Sequence, residues 1–295
     1  MEFDINLDVN VARLTHAEWE TELERLAKGS HKESVPHIHA NCDLGRWIYG
    51  RGLRKYGDFG EIWQLKEVHN IFHSVADDII QQKVQGRADL ATDMLDQVRN
   101  HSRDIIYLLT SLELAVLQRK RKTPLLDKTG NFLSQLLGSE PTTKPFPMIL
   151  YQEPKSWLRF RKKKLSSLAF MLDINAARLN HVQWVQNLQR AFNRLSRGKH
   201  IQTADECGLG LWLDAMNNTE FRGDAKFEAL DEAHREFHDL SSKTLKALHK
   251  QDVKGADDNY QKVILLSQDI VLQLTHIELR LQNSKTLFRR LQSIL

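Results

Sequence analysis

Cysteine is almost missing from this chain: 295 residues contain two. Two cysteines cannot build a disulfide framework, and in a reducing compartment both stay thiols able to ligate a metal. Prolines number six and glycines fourteen, few enough to leave long helices unbroken. Long hydrophobic runs are missing too. The longest, Ile105 to Leu117, contains Glu113 and is too short to span a bilayer. The N-terminal MEFDINLDVN is acidic and lacks the apolar stretch of a signal peptide, so the expectation is a cytoplasmic chain without a membrane span. The net charge of +4 is too mild to imply nucleic acid as a partner. Alternating β-branched segments between turn signals are not found. What is present, 41% hydrophobic and 27% charged residues, supports packed cores and argues against disorder.

An internal repeat organises the chain. LDVNVARLTHAEW at 7–19 matches LDINAARLNHVQW at 172–184, a displacement of 165 positions. The same displacement carries CDLGRW at 42–47 onto CGLGLW at 207–212, and LKEVHNIFH at 65–73 onto LDEAHREFH at 230–238. Three separated blocks at one displacement indicate a duplicated domain. Between the copies the composition changes. Five of the six prolines lie from Pro124 to Pro154, and residues 118–164 carry a net +9, which leaves −5 for the rest. The expected organisation is a first domain at 1–117, a basic linker at 118–164 with a short helix at Asn131–Leu137, and a second domain at 165–295.

Apolar periodicity predicts helices throughout. Val11, Leu14, Leu23 and Leu26 suggest one face of a first helix, capped by Asp8 or Asn10 and ending near Gly29. A short second helix is expected from about Cys42 to Lys55. A third carries Ile62, Leu65, Ile71, Phe72, Val75 and Ile79, and a long fourth carries Leu90, Met94, Val98, Ile105, Leu108, Leu109 and Leu112. The second copy repeats this plan and closes on Val263, Leu266, Ile270, Leu274 and Leu279. The fold class is therefore all-α: two tandem four-helix bundles, expected to pack as a pseudo-twofold pair.

Of thirteen histidines, six form pairs matched at the repeat displacement: His16 with His181, His69 with His234, and His73 with His238. The two cysteines, Cys42 and Cys207, are matched as well. His69 and His73 are four apart on a helix, which places both rings on one face, one turn apart. Taken singly, an H-x-x-x-H pair is often two surface histidines, and a lone cysteine is often a small buried hydrophobe. Each copy nevertheless retains three histidines and one cysteine, and three imidazoles with one thiolate complete the tetrahedral shell that Zn²⁺ prefers. Two Zn²⁺ per chain are expected. His37 and His39 have no counterpart in the second copy and read as loop residues. Glu67 and Glu232 are candidate acceptors for the outer N–H of a ligand ring. Trp19, Trp47, Trp184 and Trp212 read as packing around the site. The basic runs RKRK at 119–122 and RFRKKK at 159–164 read as solvated charge.

The pattern H…C-x-L-G-x-W…H-x-x-F-H on a helical bundle resembles the chemoreceptor zinc-binding domain, over about residues 7–115 and 172–280. The resemblance implies a zinc-responsive regulatory module of bacterial chemoreceptors and diguanylate cyclases. Its ligand set falls on His16, Cys42, His69 and His73, and on His181, Cys207, His234 and His238. It also implies dimers, which a tandem copy can form within one chain, and a protein partner in chemotaxis or cyclic-di-GMP signalling. The chain departs from that context, because neither a chemoreceptor signalling hairpin nor a cyclase domain is found. An alternative is an oxidant sensor acting through the zinc-bound cysteines. A metalloenzyme is disfavoured: a shell filled by protein ligands has no open position, and E-x-x-H is missing from both third helices.

Overall fold

The computed structural model describes residues 5–29, 42–122, 167–194, 202–217 and 221–292, and among these no strand occurs. The first copy contains α1 (Ile5–Ala27), α2 (Asp43–Trp47), a π-helical turn (Ile48–Gly52), α3 (Leu53–Tyr56), α4 (Gly60–Val84), α5 (Ala88–Asp93) and α6 (Leu95–Lys122). The second contains α7 (Ser167–Arg194), α8 (Gly208–Asn217), α9 (Ala225–His249) and α10 (Val253–Gln292). Among the described residues each copy thus has three long helices and a shorter unit, and the first copy has α5 besides. In the first copy the shorter unit is α2, the π turn and α3 in sequence.

Several local expectations change. α1 starts before Asp8 and Asn10, so neither caps it. Val11 and Ile71 are about half exposed, as is Leu90. The inward face of α1 is instead Val9, Ala12, His16, Leu23 and Ala27, where small and polar residues hide the helical period from an apolar search. The fourth helix is interrupted at Met94 in the first copy, yet α10 runs unbroken for 40 residues in the second. α6 continues to Lys122, past the expected start of the linker. Asn131–Leu137, His37 and His39 lie outside the described residues.

Among the described residues the packing forms three apolar clusters. One, including Ile62, Leu65, Phe72, Ile79, Ile105 and Leu109, belongs to the first copy. A second, including Trp212, Phe227, Phe237, Ile270 and Leu274, belongs to the second. The third is mixed: Ala17, Ile106 and Leu114 meet Leu179, Val182, Val271 and Leu279. Helices α1 and α6 contact α10, and α6 also contacts α7.

Between these surfaces lies a buried polar network built from residues 165 positions apart. Arg13 donates to Glu113 at 2.7 Å and to Thr110 at 3.0 Å within the first copy. Arg178 pairs with Glu278 within the second. Each pair is then joined by an asparagine from the opposite copy. Asn175 accepts from Arg13 at 2.9 Å and donates to Glu113 at 2.9 Å, and Asn10 donates to Glu278 at 3.1 Å. All four charged side chains are essentially unexposed. Charges this deep are tolerated only when paired and hydrogen-bonded, so the network fixes how the copies meet. At the rim of the same contact, Arg103 reaches Asp269 at 3.0 Å and Gln118 reaches Gln183 at 2.7 Å.

Candidate metal centres

α4 presents His69 and His73 on the face that also buries Leu65, Phe72 and Ala76, so both rings point into the bundle. Cys42 stands at the N-cap of α2 with extended backbone (φ −64°, ψ 124°), which turns its side chain back over the first helical amides. Its Sγ lies 3.5 Å from His69 Nε2, and His69 Nε2 lies 3.1 Å from His73 Nε2. In the second copy Cys207 Sγ lies 2.9 Å from His234 Nε2. The donor atoms of Cys42, His69 and His73 all fall within 4.8 Å of one another, as do those of Cys207, His234 and His238. Tetrahedral zinc with the usual bond lengths separates two nitrogens by about 3.3 Å, and a nitrogen from a sulfur by about 3.5 Å. Two of the first cluster's three separations, 3.1 Å and 3.5 Å, are close to these, and its donors are the soft sulfur and imidazole nitrogens that zinc accepts. The residues fit the ion.

Burial sets the protonation states. His234 is held down at about 3 and His238 at about 4, chiefly because burial disfavours the imidazolium. Both rings are therefore neutral at pH 7, the form that ligates a metal. Burial acts oppositely on the thiols. Cys42 is raised, and Cys207 is pushed up to about 11, against the pull of backbone amides at Gly45, Leu44, Gly210 and Leu209. The Gly210 N–H donates to Cys207 Sγ at 3.3 Å. With a cation at the site, these amides would help to hold the sulfur as a thiolate.

Aromatic rings wall the clusters. Trp19 packs edge-on against Phe72 and His73, and Trp184 does the same against Phe237 and His238. Trp212 is buried in the second core, and Trp47 packs against the first. The glycine of the C-x-L-G-x-W pattern has a steric task that the sequence reading missed. A Cβ on Gly45 would meet His69 Cε1 at 3.1 Å, and one on Gly210 would meet His234 Cε1 at 3.1 Å and run into the Ala204 carbonyl. A side chain there would push the histidine ring back from the short helix by a few tenths of an ångström. The signal was available, because this glycine recurs in both copies.

His16 and His181 are buried on α1 and α7 beside the clusters, with ring centroids 4.7 Å and 4.4 Å from Phe72 and Phe237. They stand outside the two close groups of donors. His16 Nε2 is 3.1 Å from Ser102 Oγ on α6. His181 Nε2 is buried without a hydrogen-bond partner among the described residues. Burial is the main reason both rings are held well below the ordinary histidine range, and the neighbouring histidines of each cluster add to it. Ser102 was not anticipated, although Ser267 repeats it at the same displacement. Glu67 and Glu232 do not face the clusters: both are exposed on the outer face of their helices, because they precede His69 and His234 by two residues and so point away. Arg119 pairs with Asp58 at 3.2 Å and lies over Phe59. The run at 159–164 is outside the described residues.

No described helix is long and apolar enough to cross a membrane. Comparison with protein families matches residues 16–80 and 181–245, each to the chemoreceptor zinc-binding domain. No curated protein and no solved structure matches the chain. Both matched segments begin at the matched histidines of the first helices and enclose the cysteine and the H-x-x-x-H pair. The chain therefore carries two chemoreceptor zinc-binding domains in tandem.

Proposed function

We propose that each copy holds one Zn²⁺ through three histidines and one cysteine, and that the chain is a cytoplasmic regulatory module without enzymatic activity. The ligands are Cys42, His69 and His73 with His16, and Cys207, His234 and His238 with His181. The carrying observation is the pair of equivalent Cys/His/His clusters in two domains of one zinc-binding family. His16 completes the first shell by exchanging its Ser102 contact for the ion, and the unpartnered His181 Nε2 does so in the second. Zinc in this setting ties the first, second and third helical units of each copy together.

The two copies act as an intramolecular counterpart of a homodimer, with the Arg–Glu–Asn network as its seam. Domain bounds of 1–117 and 165–295 keep each ligand set within one copy. A change at either centre moves α1 or α7, which carry both a ligand histidine and network residues. The output passes to a protein partner of a bacterial signalling pathway, chemotaxis or cyclic-di-GMP. A second reading, oxidant sensing, is favoured at the first centre by the partial exposure of Cys42, in contrast to the buried Cys207. Oxidation would turn a charged thiolate into a poor ligand there first.

Metal analysis of the full chain purified without added metal tests the main reading. A ratio near two zinc per chain is expected. A ratio near one would remove the two-centre assignment, and a ratio near zero after loading would remove zinc altogether.

A further inference from the structure

Glu20 follows His16 by one turn on the same face of α1, and only 5% of it is exposed. Its Oε2 faces Nε2 of His276, on α10 of the other copy, at 3.4 Å. Both atoms are buried, and neither has a hydrogen-bond partner among the described residues. His276 is also near enough to His16 for charge on one ring to disfavour charge on the other. The duplication does not explain this contact. The positions equivalent to Glu20 and His276 are Val185 and Ser111, so the second centre has nothing of the kind.

We propose that Glu20 and His276, with His16 beside them, form a third metal position, found in the first copy alone, for a divalent cation of zinc's class. A carboxylate and a neutral imidazole are a donor pair that zinc accepts, with water filling the remaining places. Two such ligands on one tetrahedral ion stand about 3.3 Å apart, close to the separation seen here. A direct charged hydrogen bond would close to about 2.7–2.9 Å. A buried carboxylate oxygen left unsatisfied is costly, and a cation between the two groups removes that cost. The position joins α1 to α10 across the seam. His16, which feels charge on His276 as well as on His69 and His73, is the route by which an ion held there reaches the first centre. The second centre lacks this route, so the two centres differ in how they load.

This inference rests on the reading of Cys42, His69 and His73 as a zinc centre, and one titration separates the two. Co²⁺ is added to the metal-free full chain while absorbance and heat are followed. Two equivalents should bring the strong thiolate-to-cobalt absorption. A third, about tenfold or more weaker, should bind without it. Glu20→Gln and His276→Gln should each remove the third equivalent and leave the first two. Should either fail to fold, E20V with H276S installs the residues already present in the second copy, and the same loss is expected. A titration that ends at two equivalents overturns the third position, as does a third equivalent that survives the variants. Missing thiolate absorption would instead overturn the two-centre reading.

Discussion

Replacing Gly45 by alanine acts on the helix and on the metal centre in opposite directions. Gly45 lies inside α2, and alanine there favours the helix by up to about 1 kcal/mol. Its new Cβ, however, would stand 3.1 Å from His69 Cε1 and 3.8 Å from Cys42 Cβ. Ordinary carbon contacts begin near 3.5 Å, so the His69 ring must retreat by a few tenths of an ångström. That exceeds the roughly 0.2 Å tolerance of zinc–ligand distances. Because His69 Nε2 lies between Cys42 Sγ and His73 Nε2, the shift disturbs two donor pairs at once. A loss of about 10- to 100-fold in zinc affinity follows, or about 1.4–2.7 kcal/mol. The assay is competition against a chromophoric chelator in a Cys207→Ser background, so that the first centre alone reports. Thermal melting of the metal-free protein runs alongside and should show unchanged or raised stability. Undiminished zinc affinity in Gly45→Ala would refute the steric argument. Equal loss of metal-free stability would show that the glycine serves folding instead.

Three further outcomes are expected. Cys42→Ser should weaken the first centre and leave the second largely intact, because the thiolate is the anionic ligand of its own copy; chelator competition that shows equal loss at both would contradict separate ligand sets. Glu113→Ala should destabilise the chain by about 3–5 kcal/mol in denaturant melts, since it strands the buried Arg13 and a cross-copy hydrogen bond of Asn175; a loss under about 1 kcal/mol would mean the network is not needed. Acid should weaken the metal-free fold: His234 and His238 titrate lower folded, at about 3 and 4, than unfolded, so the unfolded state binds more protons as pH falls below about 6.5. Stability from those groups is intact above that pH and declines toward pH 4, by at most about 1.4 kcal/mol per unit for each ring; a flat profile from pH 7 to 5 would count against neutral buried histidines.

The duplication, the all-helical class and the identity of the repeated histidines and cysteines could be read from the sequence because each rests on spacing. A displacement of 165 and an H-x-x-x-H interval are one-dimensional facts, and the helical period turns the second into a shared face. Gly45 and Gly210 were equally visible as repeated letters, but their purpose depends on how close a ring from another helix comes. Val11 lies off the inward face of α1, whose inward positions include Arg13 and His16, which a search for apolar period passes over. Arg13, Glu113, Asn10 and Asn175 look like surface residues in a sequence; Arg13 and Glu113 pair within one copy, and the meeting of the two copies adds the asparagine bonds. Glu20 and His276 are 256 positions apart and break the repeat, so no periodicity could join them. Spacing along the chain decides what one helix can present, whereas contacts between distant helices depend on packing that the linear order does not encode.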